Sequence, residues 1–496
     1  MTDRKTEKNS TLSLRDPIYK FIEVERDLCA DLIDRDFFQR LRWVNQLPLE
    51  QLVYPSAVHS RFEHSLGTMF LAQYAAKALI KNENARLGKL LELDRLSADD
   101  FIRGAAIAGL LHDVGHAPFS HTFEDATKYE PLAVVYDHEK LGYSIAEKLI
   151  GGKKQNYYQV ALRALNKDLK ESKQSCAKQS RCASIIKKII DGPIDVDKGD
   201  YLLRDSYHCG VEYGVYSWQR LWSNVALTRD LRICVNEKGA EEAWTLMLNR
   251  YKMHRTVYKH HVRMVTDAML VKLIRHVFRE KDGPNKIFPS IHDHSFTGAE
   301  SEFFFKSWND GSFLSTLSEY HKNRAERDLV DRFLQRSLYK RGFDSNSFST
   351  FSLPEEWLEG ERSTDVRRKI RAVLDKLEDN IEQNGIHALA IIEYPIQPPV
   401  FEKVQDLQGV VVAQANGEEI PLAEFLGFGI KLVDDTEEIP EEEGEEGSLP
   451  ARIDFKSHFL KKQKSRLVIF TSSAAYSDNL EPEQIADFIK REWGGI

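Results

Sequence analysis

Residues 110–121, LLHDVGHAPFSH, close an apolar run on a His-Asp pair and then place two more histidines, His116 and His121, within ten residues. The run upstream, FIRGAAIAGLLHD, repeats apolar residues at three- and four-residue spacing. It therefore reads as a helix, which Gly115 and Pro118 interrupt just beyond the pair. Adjacent residues on a helix lie about 100° apart, so His112 and Asp113 reach one point only if the helix end borders a cavity. Several imidazoles and carboxylates converging on one point are what a divalent cation requires. A lone His-Asp pair has little specificity, so its meaning depends on the rest of the chain.

Three other segments supply the same kind of residue. HSRFEHSLG offers His64 near the start of a helix, and DHEKLG offers His138 and Glu139 beside another. In DGPIDVDKGDYLLRDSYH, Asp197, Tyr201 and Asp205 recur at i, i+4 and i+8, one polar stripe along a helix. A second stripe, Arg250, His254 and Tyr258, runs along the long segment from Glu241 to about Glu280.

The fold class follows from the same periodicities. Residues 16–375 read mostly as helix. After about residue 380, HALAIIEYPI, GVVVAQ and RLVIFTSS are short β-branched runs bounded by Gly, Pro and Asn, and so read as strands. A last helix, EPEQIADFIKREW, comes after them. We therefore expect a mainly α protein: a flexible N-terminal segment over 1–15, a helical domain over 16–375, and a smaller α+β lobe over 376–496. An acidic loop over 434–446 interrupts that lobe, and the Lys/Ser-rich stretch from Asn166 reads as an exposed loop or frayed helix.

Composition narrows the class. Apolar residues at 42% and charged residues at 29% are ordinary for a soluble globular protein. The N-terminus lacks an apolar signal core, no run approaches bilayer length, and a cytoplasmic protein is expected. Five scattered cysteines without a CxxC pair indicate neither a disulfide framework nor a zinc ribbon. The net charge of −8 is local, because DDTEEIPEEEGEE carries nine carboxylates and leaves the remainder nearly neutral. Clusters such as KHHVR can still hold an anion, but nothing forms a strongly basic nucleic-acid platform.

In the order H…HD…D, with His64, His112–Asp113 and Asp197, the sequence resembles the HD-domain metal phosphohydrolases. The segments FQRLRWVNQL, HSRFEHSLG, AGLLHDVGHAPFSHTFE, DHE, IDVDKGDYLLRDSYHCG and MHRTVYKHHV extend that resemblance to the deoxynucleotide triphosphohydrolase branch. It covers residues 14 to about 280, and the C-terminal lobe more loosely. No sterile-alpha-motif domain is expected before DPIYKF.

The resemblance implies an HD-domain helical core and a divalent metal (Fe, Mn, Mg or Zn, one ion or two) held by His64, His112, Asp113 and Asp197. It implies that His121 is the general acid, oriented by Glu124, where the family has an aspartate. His116 and His138 would line the phosphates, with Glu139 supporting them. Arg61, Lys198 and Arg250 would contact the phosphate chain. Gln46 and Asp205 would meet the 3′-hydroxyl, and Leu47, Tyr201 and Tyr258 would pack near C2′ and exclude a ribose. Lys259 stands where a neutral amide is expected near the base.

The same resemblance implies a homo-oligomer, dimer or tetramer, responsive to GTP or a dNTP. Asp34, Gln39 and Arg42 match residues that read an activating guanine nucleotide, although Leu12 and Arg15 replace a lysine and an asparagine there. Arg220 and Lys238 would serve a second effector pocket, with Asn236 in place of an arginine. The activity so implied is metal-dependent hydrolysis of dNTPs to deoxynucleoside and inorganic triphosphate. Two other readings fit an HD site: a phosphodiesterase or nuclease acting on oligonucleotides, cyclic nucleotides or nucleotide second messengers, and a degenerate scaffold that senses nucleotides without turnover.

Overall fold

The computed structural model describes residues 11–128, 136–166, 180–278, 308–324, 326–347, 353–354, 357, 364–383, 387–393, 410–426, 465–472 and 480–494. The acidic loop 434–446 and most of the Lys/Ser-rich stretch after Asn166 lie outside these residues.

The chain begins with a hairpin, β1 (Thr11–Asp16) against β2 (Lys20–Glu25), paired antiparallel from Thr11↔Glu25 to Asp16↔Lys20. Residues 11–15, expected to be flexible, thus form a strand. Asp16 Oδ1 accepts the amides of Ile18 and Tyr19 (2.8 and 2.9 Å) and fixes the turn, while Ile22 and Val24 bury one face.

Beyond the hairpin, helices dominate. The central one, α1 (Arg61–Asn82), lies against α2 (Ala98–Leu111), whose start carries a capping box between Ser97 and Asp100. The two approach closely because Gly109 has no side chain. A Cβ there would lie 2.9 Å from the Thr68 carbonyl oxygen and 3.1 Å from Ala72 Cβ. That contact brings His112, just past the end of α2, beside His64 in the first turns of α1. Helix α3 (Ser120–Lys128) carries His121 and Glu124, and α4 (His138–Ile150) begins with His138 and is capped by the Asp137 carboxylate. Helix α5 (Val196–Cys209) starts at the Asp195 cap, ends at Gly210 in the left-handed conformation (φ 67°), and packs on α1.

The segment read as one long helix from Glu241 is interrupted. α6 (Ala240–Met253) passes through a π-turn at His254–Tyr258 before α7 (His261–Phe278). Such turns shift the residues after them relative to a regular helix, and here the turn carries Tyr258.

The strands expected near the C-terminus are present at Ala388–Glu393, Val411–Ala413 and Arg466–Thr471, as is a last helix at Pro482–Gly494. Their partners come partly from earlier sequence. Val225–Leu227 and Ile233–Asn236 join Val411–Ala413 and Glu419–Pro421 in one four-stranded sheet. Lys340–Asp344 pairs with Arg466–Thr471 in a three-stranded one. The sheets therefore stitch chain segments on both sides of residue 375. One apolar core runs from Tyr19 to Phe470, and a second lies between the Thr364–Glu382 helix, the last helix and the three-stranded sheet. Among the described residues, no helix is long and apolar enough to cross a membrane, and Cys29, Cys182, Cys209 and Cys234 are buried free thiols.

Candidate metal centre

The close α1–α2 approach and the start of α5 bring ligand atoms of His64, His112 and Asp197 within 4.8 Å of one another. Asp197 Oδ1 lies 3.0 Å from His64 Nε2 and 3.6 Å from His112 Nε2. Each imidazole is anchored through its other nitrogen: His112 Nδ1 to the Gly109 carbonyl (2.8 Å) and His64 Nδ1 to Asp200 Oδ2 (2.8 Å). Both Nε2 atoms are buried and lack a hydrogen-bond partner. Two imidazoles held by Nδ1, with Nε2 aimed at a shared carboxylate, fit a divalent cation. Burial disfavours charge on His64, but Asp197 and Asp200 outweigh it and push its pKa up to about 10.

Asp113, the fourth expected ligand, stands at the edge of this set. Its Oδ1 is 3.3 Å from His112 Nε2 and its Oδ2 is 3.7 Å from His64 Nε2, while Oδ2 also forms a short ion pair with Arg61. Asp113 is buried, which favours its neutral form. The neighbouring His112, His116 and Arg61 nevertheless hold the carboxyl well below the usual range.

The histidines after the helix break form a second group. His116 and His138 stack at 4.0 Å between centroids, and Glu124 Oε2 lies 2.9 Å from His138 Nδ1 and 3.5 Å from His121 Nδ1. The contact expected between Glu124 and His121 is thus the longer of the two, and the glutamate is shared. Glu139 departs from expectation: it is exposed on the first turn of α4 and is not part of the cluster. Its position following His138 turns it outward on the helix.

Phe119 (φ 55°) and Ser120 (φ 48°) both adopt left-handed backbone, costly for residues with a side chain. Asp310 Oδ1 accepts the Phe119 amide (2.9 Å), and Arg61 Nε donates to Ser120 Oγ (2.8 Å). Arg40, buried, donates to the carbonyls of Val114 and His116 (3.1 and 2.7 Å). These clamps hold the loop between α2 and α3 and so set where His116 and His121 stand.

One stripe of α5 carries the rest of the site. Tyr258 donates its hydroxyl to Asp205 Oδ2 (2.7 Å), His59 Nε2 is 2.8 Å from Asp205 Oδ1, and the Tyr201 and Tyr258 rings lie 6.2 Å apart. His208 stacks on His59 at 4.4 Å. Gln46 Oε1 is buried without a hydrogen-bond partner, and Leu47 is buried. His254 has its pKa lowered to about 3 by burial and by the neighbouring Arg250, Lys259, Lys198 and Arg263. Lys198 itself is clasped by Asp195 and the Gly192 carbonyl.

The expected effector residues fall into two exposed or half-buried groups. Arg42 donates to Gln39 Oε1 (2.8 Å) and covers the Phe62 ring, with Asp34 exposed nearby in sequence, and Arg220 donates to the Lys238 carbonyl (3.1 Å). Residues not singled out from sequence but built into the site are Asp200, Arg204, His59, Arg40 and Asp310. The available signal was Asp200 at three residues from Asp197 and four from Arg204, a spacing that also describes any helix-surface ion pair.

Residues 61–191 match the HD domain and residues 218–376 match the HD associated region. An uncharacterized protein of Methanocaldococcus jannaschii is 32% identical over 70% of this chain and 62% of its own length. A protein of Gallus gallus named deoxynucleoside triphosphate triphosphohydrolase SAMHD1 is 28% identical over 70% of this chain and 58% of its own. The chain thus spans about three-fifths of the length of these two relatives. A crystal structure of a phosphohydrolase from Bacteroides thetaiotaomicron shares the fold, with a TM-score of 0.64 at 19% identity, covering 92% of this chain and 99% of that one. The chain belongs to the HD-domain family, with an HD domain followed by an HD associated region.

Proposed function

We propose that the protein hydrolyses deoxynucleoside triphosphates to deoxynucleoside and inorganic triphosphate by attack at the α-phosphorus. The observation that carries this reading is the stripe of α5. It sets Asp197, in the cation cluster, eight residues or about 12 Å along the helix from Asp205, which Tyr258 and His59 hold. That span suits an α-phosphate at one end and the sugar's 3′ edge at the other. The relatives named as deoxynucleoside triphosphate triphosphohydrolases support the same substrate class.

A divalent cation held by His64, His112, Asp197 and Asp113 would polarise the phosphoryl group and acidify a water. The chain's own groups do the rest. Water forms a bond to the α-phosphorus, the bond from phosphorus to O5′ breaks, and O5′ needs a proton. His121, beside Glu124 and open to solvent, supplies it. His116 and His138 face the phosphates, and Arg61, Lys198 and Arg250 balance their charge. Asp205 accepts from the 3′-hydroxyl and the Gln46 side-chain amide donates to its oxygen, while Tyr201, Tyr258 and Leu47 leave a 2′-hydroxyl neither room nor partner. We extend the proposal to a cytoplasmic homo-oligomer that takes GTP or a dNTP as effector at Asp34, Gln39 and Arg42 or at Arg220 and Lys238.

The test compares each dNTP with its ribonucleotide and its 2′,3′-dideoxy analogue, using zinc- or manganese-loaded protein and Asp205→Ala. The proposal expects turnover of the dNTPs and weak use of both analogues, with the preference over the dideoxy analogue lost in the variant. Equal use of the dideoxy compounds by the wild type would remove the sugar-reading role. Turnover of short DNA or cyclic nucleotides in preference to dNTPs would move the assignment to a phosphodiesterase.

A further inference from the structure

Two connections run between the loop that carries Gln46 and Leu47 and the segment that carries His121. In the first, Asp310 Oδ2 accepts the Asn45 amide and Oδ1 accepts the Phe119 amide, both at 2.9 Å. The second passes through the start of α7. Glu50 Oε1 lies 3.1 Å from Arg263 Nε, Arg263 Nη1 lies 2.5 Å from Asp267 Oδ2, and Asp267 Oδ1 accepts from Thr122 Oγ1 (2.7 Å). Arg263 and Asp267 stand at i and i+4, a spacing common to surface pairs, but here each is also committed to another segment. Glu50 is buried and takes the Leu49 amide through Oε2 (3.2 Å), and Thr122 is buried against α7. The two connections therefore bracket Gln46 and Leu47 on one side and His121 on the other. His121 needs such holding, because its side chain is 63% exposed and follows two residues in left-handed backbone. Burial does not fix it, so its anchored neighbours must.

We propose that Arg263 and Asp267 are positioning residues that couple recognition of the sugar's 3′-hydroxyl at Gln46 to the placement of His121. A sugar held by Gln46 settles the loop 45–50, Glu50 sets Arg263 and with it Asp267, and Thr122 brings His121 into place. The 3′-hydroxyl is then read in kcat as well as in KM, because part of its binding energy is spent on placing the proton donor. The kinetic consequence rests on the reaction proposed above; the response of His121 to a bound sugar needs no turnover.

The experiment compares Thr122→Val, which keeps the shape and removes the hydroxyl, Thr122→Ser, which restores it, and Arg263→Met, which cuts the middle of the link. Steady-state kinetics are measured on a dNTP and its 2′,3′-dideoxy analogue with metal-loaded protein. The pH is kept above the Asp267 pKa, which burial pushes up to about 6. Thr122→Val and Arg263→Met should lower kcat for the dNTP about tenfold, the worth of one hydrogen bond, with KM unchanged. Their kcat for the dideoxy analogue should stay at the wild-type value, and Thr122→Ser should match wild type on both substrates. Equal loss on both substrates marks a merely structural tie and overturns the proposal, as does a loss confined to KM or no loss at all. A second measurement needs no reaction: modification of His121 by diethylpyrocarbonate, read on its peptide, with a saturating 2′-deoxynucleoside or 2′,3′-dideoxynucleoside. In wild type the two ligands should give rates about threefold apart, within what one hydrogen bond supplies, and in Thr122→Val the same rate. Equal rates in wild type overturn the coupling. If the difference is present while no dNTP is turned over, the reaction is wrong and the coupling stands.

Discussion

Replacing Asp200 by asparagine tests how the cation cluster is held. Asp200 is buried, and its Oδ2 accepts from His64 Nδ1 (2.8 Å) and Arg204 Nε (2.9 Å), while Oδ1 accepts from Arg204 Nη2 (2.9 Å). An amide nitrogen must take one of those two oxygen positions. At Oδ2 it would oppose two donors, so it settles at Oδ1 and opposes one, Arg204 Nη2. That leaves a buried guanidinium donor unsatisfied, at a cost of about 1–3 kcal/mol. Removing one partner of a buried ion pair costs about 3–5 kcal/mol. Here Asp16 Oδ2 still pairs with Arg204 Nη1 at 2.8 Å, so the total belongs near the lower figure, about 3 kcal/mol. His64 keeps its hydrogen bond but loses the charge that makes its ring a stronger donor to a cation, a change worth about 10–100-fold in metal affinity. Urea unfolding of the metal-free protein reads the first quantity, and competitive zinc titration reads the second. A stability loss below about 1 kcal/mol together with zinc affinity within about threefold of wild type would refute the claim that Asp200 orients His64.

Gly67→Ala attacks the same contact from the other side, since a Cβ there would collide with the Asp200 carboxylate and Arg204 Nη2. We expect a stability loss of about 1–3 kcal/mol and weakened zinc binding, checked by the same two titrations. Tyr258→Phe removes the hydroxyl that fixes Asp205. It should lower kcat/KM for dNTPs about tenfold and narrow the preference over dideoxy analogues, whereas an unchanged preference in steady-state kinetics would count against that role. Asp310 has its pKa pushed up to about 6 by burial, partly offset by the amides of Asn45 and Phe119 and by Arg61 and Arg40. The native state therefore holds this proton more tightly than the unfolded chain, and stability falls as pH rises from about 4 to 6, by at most about 3 kcal/mol. The stability difference between wild type and Asp310→Asn should shrink over that window in urea titrations; a difference that stays constant or grows contradicts it.

Much of the helical framework was legible because its evidence is periodic. The apolar spacing of FIRGAAIAGLL and the Gly and Pro after it place a helix end at His112, and α2 ends there. The residues proposed as ligands were legible by type: His64, His112 and Asp197 converge from three separate segments. What escaped the sequence was partnership. The family resemblance gives Lys198 as a phosphate contact but not its clasp by Asp195, the residue that caps α5 and also reaches the lysine three positions on. His59 sits in a loop with no periodicity, and only the fold lays it against Asp205.

The hairpin at 11–25 and the strands at 225–236 were hidden for a different reason. Strands are stabilised by partners distant in sequence, as Val235 is by Val412. The π-turn at His254–Tyr258 likewise breaks a period that the sequence continues, and it is the turn that carries Tyr258, the residue whose hydroxyl meets Asp205.

The central claim is that water attacks the α-phosphorus and expels an intact deoxynucleoside. Turnover of one dNTP by metal-loaded protein in ¹⁸O-water, with both products analysed by mass spectrometry, tests it most directly. The expected products are unlabelled deoxynucleoside and inorganic triphosphate carrying one ¹⁸O, both absent with Asp197→Ala. Label in the deoxynucleoside, release of a nucleoside monophosphate with pyrophosphate, or no turnover of any dNTP would contradict it.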